Sequence, residues 1–170
     1  LDKPVWVQYL QWAKGVLSGD FGWSGISAAP VADVFPLKLA ATMELAAASG
    51  LVALFLGIFL GTFAGARRNR APDHITRIVA VSGASLPQFW FGILLLIVFW
   101  ANLGIAPIGR SDATVFASIN HPTGLYTLDA ILAGSPRAFW DAIWHLMLPA
   151  ITLGYGATAI IARMMRSALV

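Results

Sequence analysis

The chain has 170 residues, of which 58% are apolar and only 11% are Asp, Glu, Lys or Arg. A soluble domain carries roughly 25% charged residues, so this chain cannot cover an ordinary water-facing surface, and its net charge of +3 does not make a nucleic-acid module of it. A soluble enzyme and a disordered tail are excluded with it, because residues 45–66, 78–109 and 142–162 lack any Asp, Glu, Lys or Arg and each reaches the roughly 20 residues that cross a hydrocarbon core.

Residues 1–38 are expected to form an extracytoplasmic or interfacial segment. Val5, Trp6, Tyr9, Leu10, Ala13, Val16 and Leu17 recur at three- and four-residue spacing, the pattern of an amphipathic helix. Trp6, Tyr9 and Trp12 are residue types that settle at a headgroup boundary; the same stripe could equally pack on the rest of the protein. Gly19 to Ser24 reads as a turn-rich break, followed by a loop with Pro30 and Pro36. The first residues show no basic stretch followed by an apolar one, so no signal peptide is visible. The chain starts with Leu1 and is expected to be a fragment or a processed product.

A first span is predicted near 39–66, with Glu44 in its first turn, where the helix dipole favours an anion. Ala53, Gly57, Gly61 and Gly65 form a four-residue ladder of small side chains, which lets another helix approach closely in lipid. Residues 67–77, with Arg67, Arg68, Arg70 and Arg77, read as a short cytoplasmic turn rather than a DNA-binding patch. A second span is predicted near 78–104, kinked at Pro87, which has no N–H to donate. Ser82, Ser85 and Gln88 share one face there, opposite an apolar wall from Ile93 to Val98. They line a pathway or satisfy the carbonyls freed at Pro87. Residues 105–141 read as a long connection. A third span near 142–164 contains Pro149, a second small ladder of Ala150, Gly154, Thr158 and Ala162, and the polar Thr152 and Tyr155.

Three crossings place the two ends on opposite sides. Arg67, Arg68, Arg70, Arg77, Arg163 and Arg166 gather on one side, while Lys3, Lys14, Lys38, Arg110 and Arg137 are spread over the other. The denser basic clusters mark the cytoplasm, which puts the N-terminal segment and residues 105–141 outside and the C-terminal end inside.

Catalytic chemistry is hard to find. The chain has no cysteine, which removes disulfides, thiolate metal sites and a cysteine nucleophile. His74, His121 and His145 have no metal-ligand spacing, and His145 reads as an interface or helix-start residue. No nucleotide or hydrolase motif occurs. The expected architecture is therefore all-α, a multi-pass transmembrane bundle of about three spans plus the N-terminal amphipathic helix.

Several strings extend this reading. Tyr9-Leu10-Gln11-Trp12, Gly19-Asp20-Phe21-Gly22-Trp23-Ser24, Ala41-Thr42-Met43-Glu44-Leu45-Ala46 and Ser85-Leu86-Pro87-Gln88-Phe89-Trp90-Phe91-Gly92 resemble the B-type membrane subunit of dipeptide, oligopeptide and nickel ABC importers. So do Leu103 to Gly109, His145 to Gly154 and Arg163-Met164-Met165-Arg166-Ser167, in the same order over essentially the whole chain. The resemblance implies a partial type-1 permease domain over residues 39–170 in a bacterial cytoplasmic membrane. It also implies translocation of peptides or a related small solute by alternating access.

The implied partners are membrane lipid, a second permease subunit, two cytoplasmic ATPase subunits and an extracytoplasmic solute-binding protein, with no nucleic acid. ATP is expected on the partner ATPase, with no cofactor or catalysis on this chain. In the family a transmembrane helix precedes the matched region and a cytoplasmic coupling loop follows it, so the chain is expected to be a fragment. The rival expectation is a membrane assembly or scaffold protein with no transport path.

Overall fold

The structure, a computed structural model, describes residues 3–67 and 70–169; Arg68 and Asn69 of the expected arginine turn lie outside them. The chain divides into two compact units after Thr42.

In the first unit, helix α1 (Val5–Leu17) follows Pro4, whose carbonyl accepts the N–H groups of Val7 and Gln8. No residue of α1 is buried, and its Trp6, Tyr9 and Trp12 are exposed. The chain then turns through Gly19 and Gly22, both at positive φ, into a minimal antiparallel hairpin of β1 (Trp23–Ser24) and β2 (Ala29–Pro30).

Helix α2 (Val31–Ala66) starts directly after β2, well before Leu39. Pro36 is inside this helix rather than in a loop. It sits near the start, where the missing N–H removes only one backbone bond, and Asp33 in the first turn suits the helix dipole. Glu44 consequently lies deep in the helix and not in its first turn. At 36 residues, and 1.5 Å per residue, α2 is about 54 Å long, more than a hydrocarbon core of about 30 Å requires.

The arginine turn is shorter than expected. Helix α3 (Ala71–Ser85) begins with proline at its N-terminus and Asp73 in its first turn, two features that favour helix initiation. The expected second span is not one kinked helix. Helix α3 and helix α4 (Gln88–Leu95) meet at 111°. Leu86, directly before the proline, is driven extended (φ −84°, ψ 129°), and Pro87 starts α4 instead of bending α3. A π-helical stretch (Leu96–Asn102) continues α4 and ends at Gly104 with φ +63°.

Residues 105–141 are not a loose connection. They fold into a small cap with α5 (Ala113–Phe116), α6 (Tyr126–Leu132) and the start of α7 (Pro136–Ala168). Val115, Ala130 and Ala138 are its buried core, with Ile119 and Phe139 against them. Buried Asp129 accepts hydrogen bonds from Thr123 N–H (3.1 Å), Thr123 O–H (2.6 Å) and Gly124 N–H (3.1 Å). Asp112 caps α5 by accepting from the side chain and the N–H of Thr114, which hold its carboxyl below the usual range.

The cap is tied to α2 by this same Glu44. Glu44, 9% exposed, accepts from Arg110 Nη2 at 2.8 Å and from both the N–H and the O–H of Thr127 at 2.7 Å. Arg110 also donates to Gly124 O and lies 3.7 Å above the Tyr126 ring. A carboxylate taken this far from water is tolerated only with such partners.

Helix α7 starts at Pro136, not near 142. Ser135 caps it, accepting from Ala138 N–H, and proline follows at the first helical position. Helices α2 and α7 are each long and apolar enough to cross a membrane, and the bent α3–α4 pair makes a third candidate. Among the described residues the regular structure is helical apart from the two-residue strands β1 and β2.

Candidate functional site

Helix α7 packs against α3, α4, α5 and α6, and against α2 at its glycines. Gly57, Gly61 and Gly65 of α2 face it so closely that an added Cβ would lie 2.7 Å from Ile161 Cβ, 2.6 Å from Ala162 O and 2.9 Å from Leu169 Cβ, respectively. The reciprocal contact comes from Gly154, where a Cβ would lie 2.8 Å from Ser49 O. Ala53, Gly57, Gly61, Ala150 and Gly154 are buried, while Gly65 is half-buried. Gly83 brings α3 equally close, at 2.8 Å from Ala159 Cβ.

Of the five polar residues singled out around the two prolines, the structure brings four to the facing sides of α3, α4 and α7. Ser82 Oγ and the Tyr155 hydroxyl are 2.5 Å apart, and Phe91 stacks on the Tyr155 ring at 4.5 Å between centroids. Gln88 Nε2 donates to Leu153 O at 3.4 Å. Thr152 donates to Leu148 O one turn back, at 2.8 Å, and Ser82 reaches Ile78 O and Val79 O in the same manner. Ser85 is exposed and stands apart from this cluster. Much of the hydroxyl capacity here thus goes to carbonyls of the same helix: Leu148 O beside Pro149, and Ile78 O and Val79 O of α3, well before Pro87.

A cavity of about 360 Å³ opens beside the cluster, between α4, the Pro107–Gly109 strap and the Pro149 region of α7. Thr152 is the only one of the five polar residues that lines it. Its other polar side chain is His145, which is 7% exposed and lies well inside α7 rather than at a helix start. His145 Nδ1 donates to Asp141 O at 2.9 Å. A carbonyl can only accept, so this bond fixes the proton on Nδ1 and leaves Nε2 as the remaining ring nitrogen. The sequence signal was the spacing to Pro149: a proline cannot bond the carbonyl four residues back, here that of His145. Among the described residues, no three His, Asp or Glu side chains cluster as a metal site.

Residues 57–170 match the family described as binding-protein-dependent transport system inner membrane component. The chain is 39% identical to the probable D,D-dipeptide transport system permease protein DdpB of Escherichia coli (strain K12), over 99% of the chain and 50% of that protein. Identity is 38% to the di/tripeptide transport system permease protein DppB of Pseudomonas aeruginosa (strain UCBPP-PA14), over 99% of the chain and 50% of the relative. It is 34% to the putrescine export system permease protein SapB of Escherichia coli (strain K12), over 95% of the chain and 51% of the relative. The chain spans about half the length of these curated relatives.

Proposed function

Because the chain belongs to the binding-protein-dependent transport system inner membrane component family, we propose that it forms part of the permease subunit of an ABC importer for peptides or a related small solute. One observation carries the reading: the similarity to dipeptide and di/tripeptide permeases runs through 99% of the chain. Supporting it, α2 and α7 meet at glycines, so their backbones lie close with few bulky side chains between them. Such seams let helix groups move as rigid bodies in alternating access. The working complex contains a second permease subunit, two cytoplasmic ATPases and an extracytoplasmic solute-binding protein. ATP is held by the ATPases, and this chain carries no cofactor and breaks no bonds. Ser82, Ser85, Gln88, Thr152 and Tyr155 border the solute path.

The test is uptake by the complete transporter in proteoliposomes, with a labelled dipeptide outside and ATP inside. ATP-dependent accumulation that requires the binding protein is expected. Dipeptide held at background, or putrescine moved instead, overturns the peptide assignment.

In the bacterial cytoplasmic membrane, residues 1–38 and the cap lie outside, residues 39–170 form part of the permease domain, and the C-terminal end is inside, following the arginine density. The cysteine-free sequence makes this measurable. Ala71 and Ala117 are both exposed, so Ala117→Cys should react with an impermeant maleimide in intact cells, and Ala71→Cys only after permeabilisation. The reverse pattern overturns the orientation.

A further inference from the structure

We infer that the cavity beside Pro149 is a solute chamber that receives an apolar side chain of a peptide and reads its backbone N–H through His145. This rests on the proposed function and gives it a specific site. The volume of about 360 Å³ falls within the roughly 300–1,000 Å³ of small-molecule pockets. Phe89, Ile93 and Leu148 contribute to an apolar wall, and no Asp, Glu, Lys or Arg lines the space. An ion entering it would lose its hydration without a counter-charge. The occupant is therefore neutral and largely apolar, with the charged ends of the peptide left outside.

The polar groups select further. With Nδ1–H held by Asp141 O and the Asp141 carboxylate 3.5 Å from the same nitrogen, the neutral ring of His145 presents Nε2 to the cavity as an acceptor. The single hydroxyl proton of Thr152 is given to Leu148 O, so its oxygen also accepts. In the same turn, Pro149 leaves the His145 carbonyl without its usual helical donor. Two side-chain acceptors, a freed carbonyl nearby and no side-chain donor among the lining residues ask for an occupant with an N–H group. A peptide amide supplies that and a lipid acyl chain does not.

The test uses the complete transporter in proteoliposomes, with leucylphenylalanine and glycylglycine as substrates. His145→Gln places an amide near Nε2, whereas His145→Asn places one near Nδ1 and preserves only the bond to Asp141. His145→Gln should keep the preference for leucylphenylalanine. His145→Asn and His145→Leu should lower its kcat/KM about tenfold, the scale of one lost hydrogen bond, and that of glycylglycine, which has no side chain to enter the cavity and so does not place its amide there, less than about twofold. In parallel, Leu153→Cys on the cavity wall should be protected from a maleimide by leucylphenylalanine.

A wild-type profile for His145→Asn with a defective His145→Gln would assign the histidine to holding its own helical turn and overturn the proposal. So would labelling of Leu153→Cys that leucylphenylalanine does not change, or protection already complete in peptide-free vesicles, which would mark an acyl chain. If the unaltered transporter moves neither dipeptide, the proposed function fails, and the labelling still decides what the cavity binds.

Discussion

Gly61→Leu is expected to abolish assembly of the α2–α7 pair, and even Gly61→Ala should lower Tm in detergent. The two forces at this position have opposite signs. In a helix interior alanine is favoured over glycine by about 1 kcal/mol, so propensity alone predicts stabilisation. Against it, a Cβ at Gly61 would lie 2.6 Å from the backbone oxygen of Ala162 and 2.6 Å from Met165 Cβ. A backbone atom cannot rotate away, so relief requires moving one helix. Overpacking of this kind costs about 1–3 kcal/mol or more, and the steric term wins.

The geometry also predicts a graded series. At Gly57 the obstacles are side-chain atoms of Ile161 at 2.7 and 2.8 Å, with Thr158 O at 3.3 Å. At Gly65 the obstacle is Leu169, just past the end of α7, where the chain yields more easily. The expected order of loss on substitution by alanine is Gly61, then Gly57, then Gly65. Leu51→Phe, at a position 69% exposed, should be nearly silent and serves as the control. A higher Tm for Gly61→Ala than for the unaltered chain would mean that propensity governs and that the close approach is absent.

The glycine ladder was readable in the sequence because small residues repeating every four positions have one physical use in an apolar helix, close approach. The charge-free runs were readable for a similar reason, since composition alone places them in lipid. Helix starts depart from expectation wherever capping chemistry, and not hydrophobicity, sets them. Ser135-Pro136 and Ala71-Pro72-Asp73 carry ordinary helix-start signals, yet both precede the apolar run, so hydrophobicity alone reads them as connections.

Other features depended on partners distant in sequence. Nothing near Glu44 announces Arg110 and Thr127, and nothing in 105–141 announces a packed core of one valine and two alanines. Periodicity reports which face of an element is apolar, not which distant carboxylate will be buried there. The five polar residues around the prolines were visible, whereas the cavity was not, because its wall combines α2, α4, α7 and a strap from distant parts of the chain.

Asp73 is the clearest example of that long-range type, and its removal should be the most damaging single charge change. It is fully buried. Arg166, from the far end of α7, donates to both of its oxygens, and Arg77, one turn along α3, pairs with it at 2.9 Å. The two arginines are not equivalent, since the Arg77 side chain is 51% exposed and that of Arg166 is 23% exposed. Water can replace most of what Arg77 loses, so Arg77→Met should cost less than about 1 kcal/mol. Arg166→Met removes the better-buried of these two arginines from a buried carboxylate and should cost more. Asp73→Ala removes the shared partner of both guanidinium groups and also removes an anion from the first turn of α3. Breaking a buried pair costs about 3–5 kcal/mol, and the partial exposure of the arginines brings the expectation to the lower end of that range. Thermal unfolding in detergent should rank Asp73→Ala below Arg166→Met, and both below Arg77→Met. Combined, Asp73→Ala and Arg166→Met should lose less than the sum of the two, as residues of one ion-pair network do. Strict additivity would mean that the two residues do not stabilise each other, and α3 and α7 would then be joined at this end by packing alone.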